Sequence, residues 1–197
     1  MTMRHDQMRN TMARLMTKAG CKSVEIEQQL LPNEGELDDI RGVEKGDESR
    51  MDVTAVGFWG ACQRAFFDIR VCDPFAPSYS QKPITSLLKS QEQEKKRKYN
   101  KRILEIEKST FTPLVFTATG GCGRECDLVL KKLASMISAK TGNTFSSVML
   151  SLRTEISFTL LRTCIISLRG WRRPKATTLD NPRDFEISLK SSTPSFF

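Results

Sequence analysis

The sequence predicts an α/β fold: a mixed four-stranded sheet built in the order helix, strand, strand, strand, helix, strand, with two additional C-terminal helices. Three observations carry this. Residues 5–19, HDQMRNTMARLMTKA, place Met8, Met12, Leu15 and Met16 on one helical face. RMDVTAVGF (50–58) and AFFDIRVCDPF (65–75) flank a turn with two glycines and read as a hairpin. The long charged helix TSLLKSQEQEKKRKYNKRILEIEK (85–108) then precedes a short apolar strand, TPLVFTATGG. Helices packed on a mixed sheet are the natural layer solution for such an order.

Each element follows in turn. Gly20 stops the first helix. VEIEQQL (24–30) alternates and is the first strand. Residues 32–49, PNEGELDDIRGVEKGDES, are acidic, Gly-containing and aperiodic, hence a loop. GFWGACQ turns the chain between the hairpin strands, and DPFAPSYSQKP is a Pro-rich connector to the charged helix. Residues 124–141 and 145–169 give the last two helices, the second rich in Leu, Ile and Phe. Residues 1–170 read as one domain, and the polar, Pro-containing 171–197 as a flexible tail.

The 197 residues suffice for one domain with a real core, and 39% hydrophobic content supports packing rather than disorder. A net charge of +8 favours polyanions, nucleic acid first and acidic membrane second, or else is a solubilising surface. No apolar run is long enough to span a bilayer. MTMRHDQMRN has no apolar core of a secretory leader, so the expected compartment is reducing and intracellular, with the six cysteines free. Cys122 and Cys126 form a single pair in GGCGREC, a weak zinc signal and more simply small side chains in a Gly-rich turn. The only histidine is His5. That excludes a multi-histidine metal site, and nothing in the sequence places a nucleophile beside this residue. Chemistry here must run on carboxylates, Lys/Arg and a hard metal.

The run AFFDIRV holds the pointed feature. Residues two apart in a strand share a face, so Asp68 and Arg70 point one way while Phe67, Ile69 and Val71 point the other. Asp52 lies near the start of the partner strand, just past Arg50 in RMD. Two converging carboxylates need a neutralising cation. Arg70 supplies one, which makes a structural Asp–Arg pair. A divalent metal is the other choice, and Mg²⁺ suits one or two carboxylates plus phosphate oxygens.

At these residues the chain resembles the PD-(D/E)XK nuclease core, the restriction-endonuclease-like fold, with its αβββαβ order. More narrowly it resembles the endonuclease domain of site-specific non-LTR retrotransposons and related reverse-transcriptase-associated proteins of invertebrates. MRHDQMRNTMARLM is similar to the Arg-His-Asn helix entering that domain, and KYNKRILEIEKSTFTPLVFTATGGCG to the segment joining its basic helix to the fourth strand. The similarity covers roughly residues 4–170. It implies a DNA endonuclease using Mg²⁺ or Mn²⁺, with Asp52, Asp68 and the backbone carbonyl of Ile69 as ligands. Arg70 stands where the family has lysine; in some subfamilies that lysine moves to the next helix, and Lys98 and Lys101 are available there. The family domain usually follows a zinc knuckle that would end where this chain begins, which implies a fragment or decayed copy. A catalytically inactive nucleic-acid-binding module with the same fold is the alternative.

Other stretches carry two readings each. EKKRKYNKR (94–102) reads as duplex-DNA contact through Lys95, Lys96 and Arg97, with Tyr99 stacking or packing near the site. It reads equally as a solvated face with Glu92–Lys96 and Glu94–Lys98 pairs. SLRGWRRPK adds Arg172 and Arg173 as a second basic patch, or as cations at a helix C-terminus. Asp6 is a candidate extra acid from the first helix, or an ordinary N-terminal helix acid. Trp59 in GFWG is a DNA wedge or a cover for the sheet edge. A DNA partner and no membrane implies a nuclear location.

Overall fold

The four side chains Met8, Met12, Leu15 and Met16 are all fully buried, as their helical spacing predicts. In the computed structural model, which describes residues 3–31, 50–79 and 81–169, they belong to α1 (Met3–Ala19). The elements continue as β1 (Lys22–Gln29), β2 (Arg50–Val56), β3 (Arg64–Cys72), α2 (Ile84–Glu105), β4 (Thr110–Thr117), α3 (Arg124–Thr141) and α4 (Phe145–Arg169). The acidic segment 32–49 and the tail 171–197, with Arg172 and Arg173, lie outside the described residues. The chain divides into two units after Cys164, and everything below concerns the first.

The sheet order is β1-β2-β3-β4. β1 and β3 both pair antiparallel with β2, while β4 runs parallel to β3. This is the expected αβββαβ order with two further helices. The hairpin register runs from Val56↔Arg64 to Val53↔Phe67. Its turn closes with Gly57 N–H on the Gln63 carbonyl at 2.9 Å. Gly57 has φ 87°, a left-handed conformation that glycine adopts without a Cβ penalty. Trp59 does not project from this turn. Its Nε1 donates to Thr112 Oγ1 at 3.3 Å and its ring meets Phe58 edge-on, so it covers the sheet rather than forming a wedge.

Two layers flank the sheet. On one face α1, α3 and α4 bury Val53, Ala55, Ala65, Phe67, Ile69, Leu114 and Phe116. On the other, α2 packs Tyr99 and Ile103 against Met51, Phe66 and Phe111, and Leu87 and Leu88 against Cys72 and Val115. Each large apolar side chain so buried contributes about 1.5–3 kcal/mol relative to leaving it exposed. Among the described residues no helix is long and apolar enough to cross a membrane.

One irregularity matters. Strict alternation would put Met51, Val53 and Ala55 on one face. Met51 instead joins the α2 side while Val53 and Ala55 join the α1 side. β2 therefore turns over at Asp52. On its other flank Glu27, between the pairs Ile26↔Val53 and Gln28↔Met51, has φ 56°.

Candidate active site

The ladder between β2 and β3 ends at Val53↔Phe67, although β3 stays paired with β4 as far as Cys72↔Thr117. The two strands part at the next position, which is Asp52 and Asp68. The sheet opens there into a fork. Gly57 and Gln63 are a hydrogen-bonded pair, so alternation along the hairpin would give Ile69 N–H to Met51. Asp52 Oδ2 takes that N–H instead, at 2.6 Å. A strand residue's N–H and C=O face the same neighbour, so the Ile69 carbonyl also faces the fork.

Asp52 and Asp68 are both 5% exposed and line one cavity of about 360 Å³. His5, Arg50, Ile69, Arg70, Val71, Lys95 and Tyr99 complete its wall. Partners arrive from both helical layers. From α1, His5 Nε2 lies 3.0 Å from Asp52 Oδ2. From α2, Lys95 Nζ lies 2.8 Å from Asp68 Oδ2. Hydrogen bonding to Asp52 raises the His5 imidazole above its ordinary pKa, against burial, which lowers it. Burial raises the Asp68 carboxyl; Lys95 lowers it and the nearby Asp52 raises it further.

Several expectations need correction. Arg70 does not neutralise Asp68; its guanidinium pairs with Glu94 at 3.0 Å on the surface. The cation on Asp68 is Lys95, expected only as a DNA contact. Lys98 and Lys101 are not in the cavity wall. Both are exposed on α2, Lys98 with its Nζ 5.0 Å from the Tyr99 ring centre. The helix turn decides this: Lys95 and Tyr99 are four apart on the face that meets the sheet, and Lys98 and Lys101 rotate away from it. Tyr99 is 8% exposed and tilts against Phe111, so it packs and does not stack on a base. The expected pairs within α2 are replaced by contacts to other elements. Lys96 binds Glu125 at 2.7 Å, Glu94 binds Arg70, and Glu92 Oε1 accepts the Glu125 N–H at 3.0 Å. Lys96 thus faces α3, while Arg97 is exposed. Asp6 lies outside the cavity wall, 3.5 Å from His5 Nδ1 and 3.4 Å from Arg9.

His5 and Arg50 were not among the sequence candidates. His5 had a readable signal: with Met8 and Met12 it falls on the buried helical face at spacings of three and four. Arg50 had none beyond its place before Met51.

The donors present suit a hard divalent cation. The site offers two carboxylates and a strand carbonyl, an oxygen set of the kind Mg²⁺ or Mn²⁺ takes. One feature of the geometry agrees with this. Both donors to Asp52 fall on Oδ2, and among the described residues nothing hydrogen-bonds to Oδ1. Zinc at Cys122 and Cys126 has no such support. Cys126 is fully buried against Cys122. Among the described residues no group of three or more His, Cys, Asp or Glu suited to a metal occurs, at this pair or at the fork, where two carboxylates and a carbonyl are the donors.

No protein-family model matches the chain, and no curated protein matches it.

Proposed function

We propose that the chain is a DNA endonuclease domain of the PD-(D/E)XK type, of mobile-element origin and acting on nuclear duplex DNA with Mg²⁺ or Mn²⁺. The observation that carries this is the fork: two buried carboxylates from adjacent strands share one open cavity with a lysine. Structural acids on a sheet do not need a cavity, nor cations from a helix on either side.

Asp52, Asp68 and the Ile69 carbonyl would hold the ion. When bound, it supplies Lewis-acid stabilisation of charge on the phosphate and eases deprotonation of the attacking water. The rest is the work of this chain. Lys95 opposes the upward pull of burial on the Asp68 carboxyl and presents an ammonium to the scissile phosphate. Arg50 and Arg70 line the same cavity and suit bidentate contact with flanking phosphates. The exposed Arg97, Lys98 and Lys101 extend the positive surface along α2.

Supercoiled plasmid incubated with the protein and Mg²⁺ or Mn²⁺ is expected to give nicked circles, and none with EDTA. A second reading, a silent DNA-binding module, is favoured by one observation. Arg70, at the position where the family has lysine, is tied to Glu94. Salt-sensitive plasmid binding with no nicking under either ion would select it.

A further inference from the structure

We propose that His5 is a positioning residue that makes Asp52 a one-oxygen ligand and so sets which divalent ion the site prefers. The inference rests on the metal-dependent reading above. It starts from the two donors on Asp52. Ile69 N–H at 2.6 Å and His5 Nε2 at 3.0 Å fall on the same oxygen, Oδ2. They reach it from different elements, β3 and α1, so together they fix the rotation of the carboxylate. Only Oδ1 is left to face the cavity.

The consequence is chemical. Mg²⁺ and Mn²⁺ take single oxygens at octahedral positions, whereas Ca²⁺ takes six to eight oxygens and readily chelates a carboxylate through both. A carboxylate with one oxygen held by two donors serves the first class and hinders the second. The backbone donor cannot do this alone, because one hydrogen bond leaves the carboxylate free to swing about it. His5 is held for the task. It is 19% exposed, sits on the same helix as the buried Met8 and Met12, and its Nδ1 faces Asp6 at 3.5 Å. Asp6 in turn lies 3.4 Å from Arg9, which pairs with Glu27 on β1. A row of ion pairs thus runs from the imidazole to the first strand, without a hydrogen bond at His5 Nδ1 or Asp6 Oδ1.

The test measures ion binding, not cleavage. Mn²⁺ binding to the full chain is followed by the loss of free-ion EPR signal, with Ca²⁺ as competitor, for wild type, His5→Ala and His5→Gln. Glutamine carries an amide N–H at the reach of the imidazole Nε2 and restores the donor. His5→Ala is expected to weaken Mn²⁺ binding about 10-fold or more, the usual scale for losing the partner that orients a ligand. It should also narrow the preference for Mn²⁺ over Ca²⁺, and His5→Gln should recover most of both. Equal Mn²⁺ binding and equal discrimination in wild type and His5→Ala overturn the inference, as does His5→Gln behaving like His5→Ala. Melts without ion check that the variants fold. If His5→Ala does not melt cooperatively, His5→Asn, whose amide is too short to reach Oδ2, takes its place. A folded wild type that binds no Mn²⁺ overturns the metal reading itself, and this inference with it.

Discussion

Asp68, which meets Lys95 of α2, and Glu92, which belongs to α2 and meets α3, are two buried carboxylates in different surroundings. Asp68 is 5% exposed and Glu92 7%. Burial is the largest influence on both and raises both above the ordinary carboxyl range. Glu92 is saturated. Its Oε1 accepts the Glu125 N–H in the first turn of α3, whose N-cap Gly123 makes no side-chain cap bond. A Cβ at Gly123 would overlap that carboxylate, so glycine is what lets an acid from α2 cap α3. Asp68 has an ammonium beside it, a second carboxylate nearby, and a cavity in front. Glu92 also lines a cavity, of about 530 Å³, so an opening alone does not set the two acids apart. What does is the second buried carboxylate: Asp52 shares the opening with Asp68, and two buried acids there leave a place for a cation to complete them.

The sharpest way to break the comparison is to neutralise each acid. Asp68→Asn should cut Mg²⁺-dependent nicking by about two to three orders of magnitude, the scale of losing a pre-organised charge at a reacting phosphate. Its DNA binding should hold or tighten. Glu92→Ala should leave nicking by the folded protein unchanged. If plasmid assays show both variants losing activity alike, the two acids are not different in kind.

Next in size is the cation. Lys95→Met strands Asp68 beside Asp52 and should lower stability by about 2 kcal/mol. That is less than for a fully dry pair, because Lys95 is 21% exposed and Asp68 can take up a proton. Arg70→Gln should change stability by no more than about 0.5 kcal/mol, since its pair with Glu94 is on the surface. Denaturant melts of the two variants side by side measure this. The reverse order would restore Arg70 as the partner of Asp68.

How much of this was legible in the chain? The elements were, because each carries its own period: Met8, Met12, Leu15 and Met16 for α1, and the alternating strands for the hairpin. Asp52 and Asp68 were legible as a pair, because hairpin register follows from the turn. The identity of the cation was not. Arg70 shares a strand face with Asp68, but in the structure its long side chain swings outward to Glu94, and Lys95 arrives from a helix whose rotation no local pattern sets. His5 was readable only as one more position on the buried face of α1. Its contact to Asp52 depends on β2 turning over, which alternation alone would deny.

Smaller still is the coupling between Glu92 and Gly123. Glu92→Ala removes a helix cap and should cost about 1 kcal/mol. Gly123→Ala in wild type forces the Glu92 carboxylate aside; in the Glu92→Ala background it meets no such overlap. A double-mutant cycle by thermal melting should therefore give a coupling of about 0.5–1 kcal/mol. Strict additivity would mean that Glu92 does not cap α3.

The smallest expected effect is in pH. A carboxyl whose pKa is raised on folding holds its proton more tightly in the folded state. Its contribution is fully present below the unfolded value and is lost as pH rises through the folded one. Stability should thus decline as pH rises just above the ordinary carboxyl range, with Glu92 and Asp68 both contributing. Glu92→Gln keeps an acceptor for the Glu125 N–H and removes the titration, so its stability curve should be flatter in that window. An unchanged slope would assign the decline to Asp68 alone.

The parting of β2 and β3 also bears on the order in which the protein comes into being. The hairpin is local and closes early, whereas the parallel pairing of β3 with β4 must wait for the whole of α2 to be made and docked. A chain with the hairpin but not yet α2 would bring Asp68 beside Asp52 without Lys95, an arrangement in which the two carboxylates would resist closure at that end. Because Lys95 lies on α2, the site would be complete only once α2 docks on the sheet, and the parting of the strands at the fork lets the rest of the hairpin pair before then.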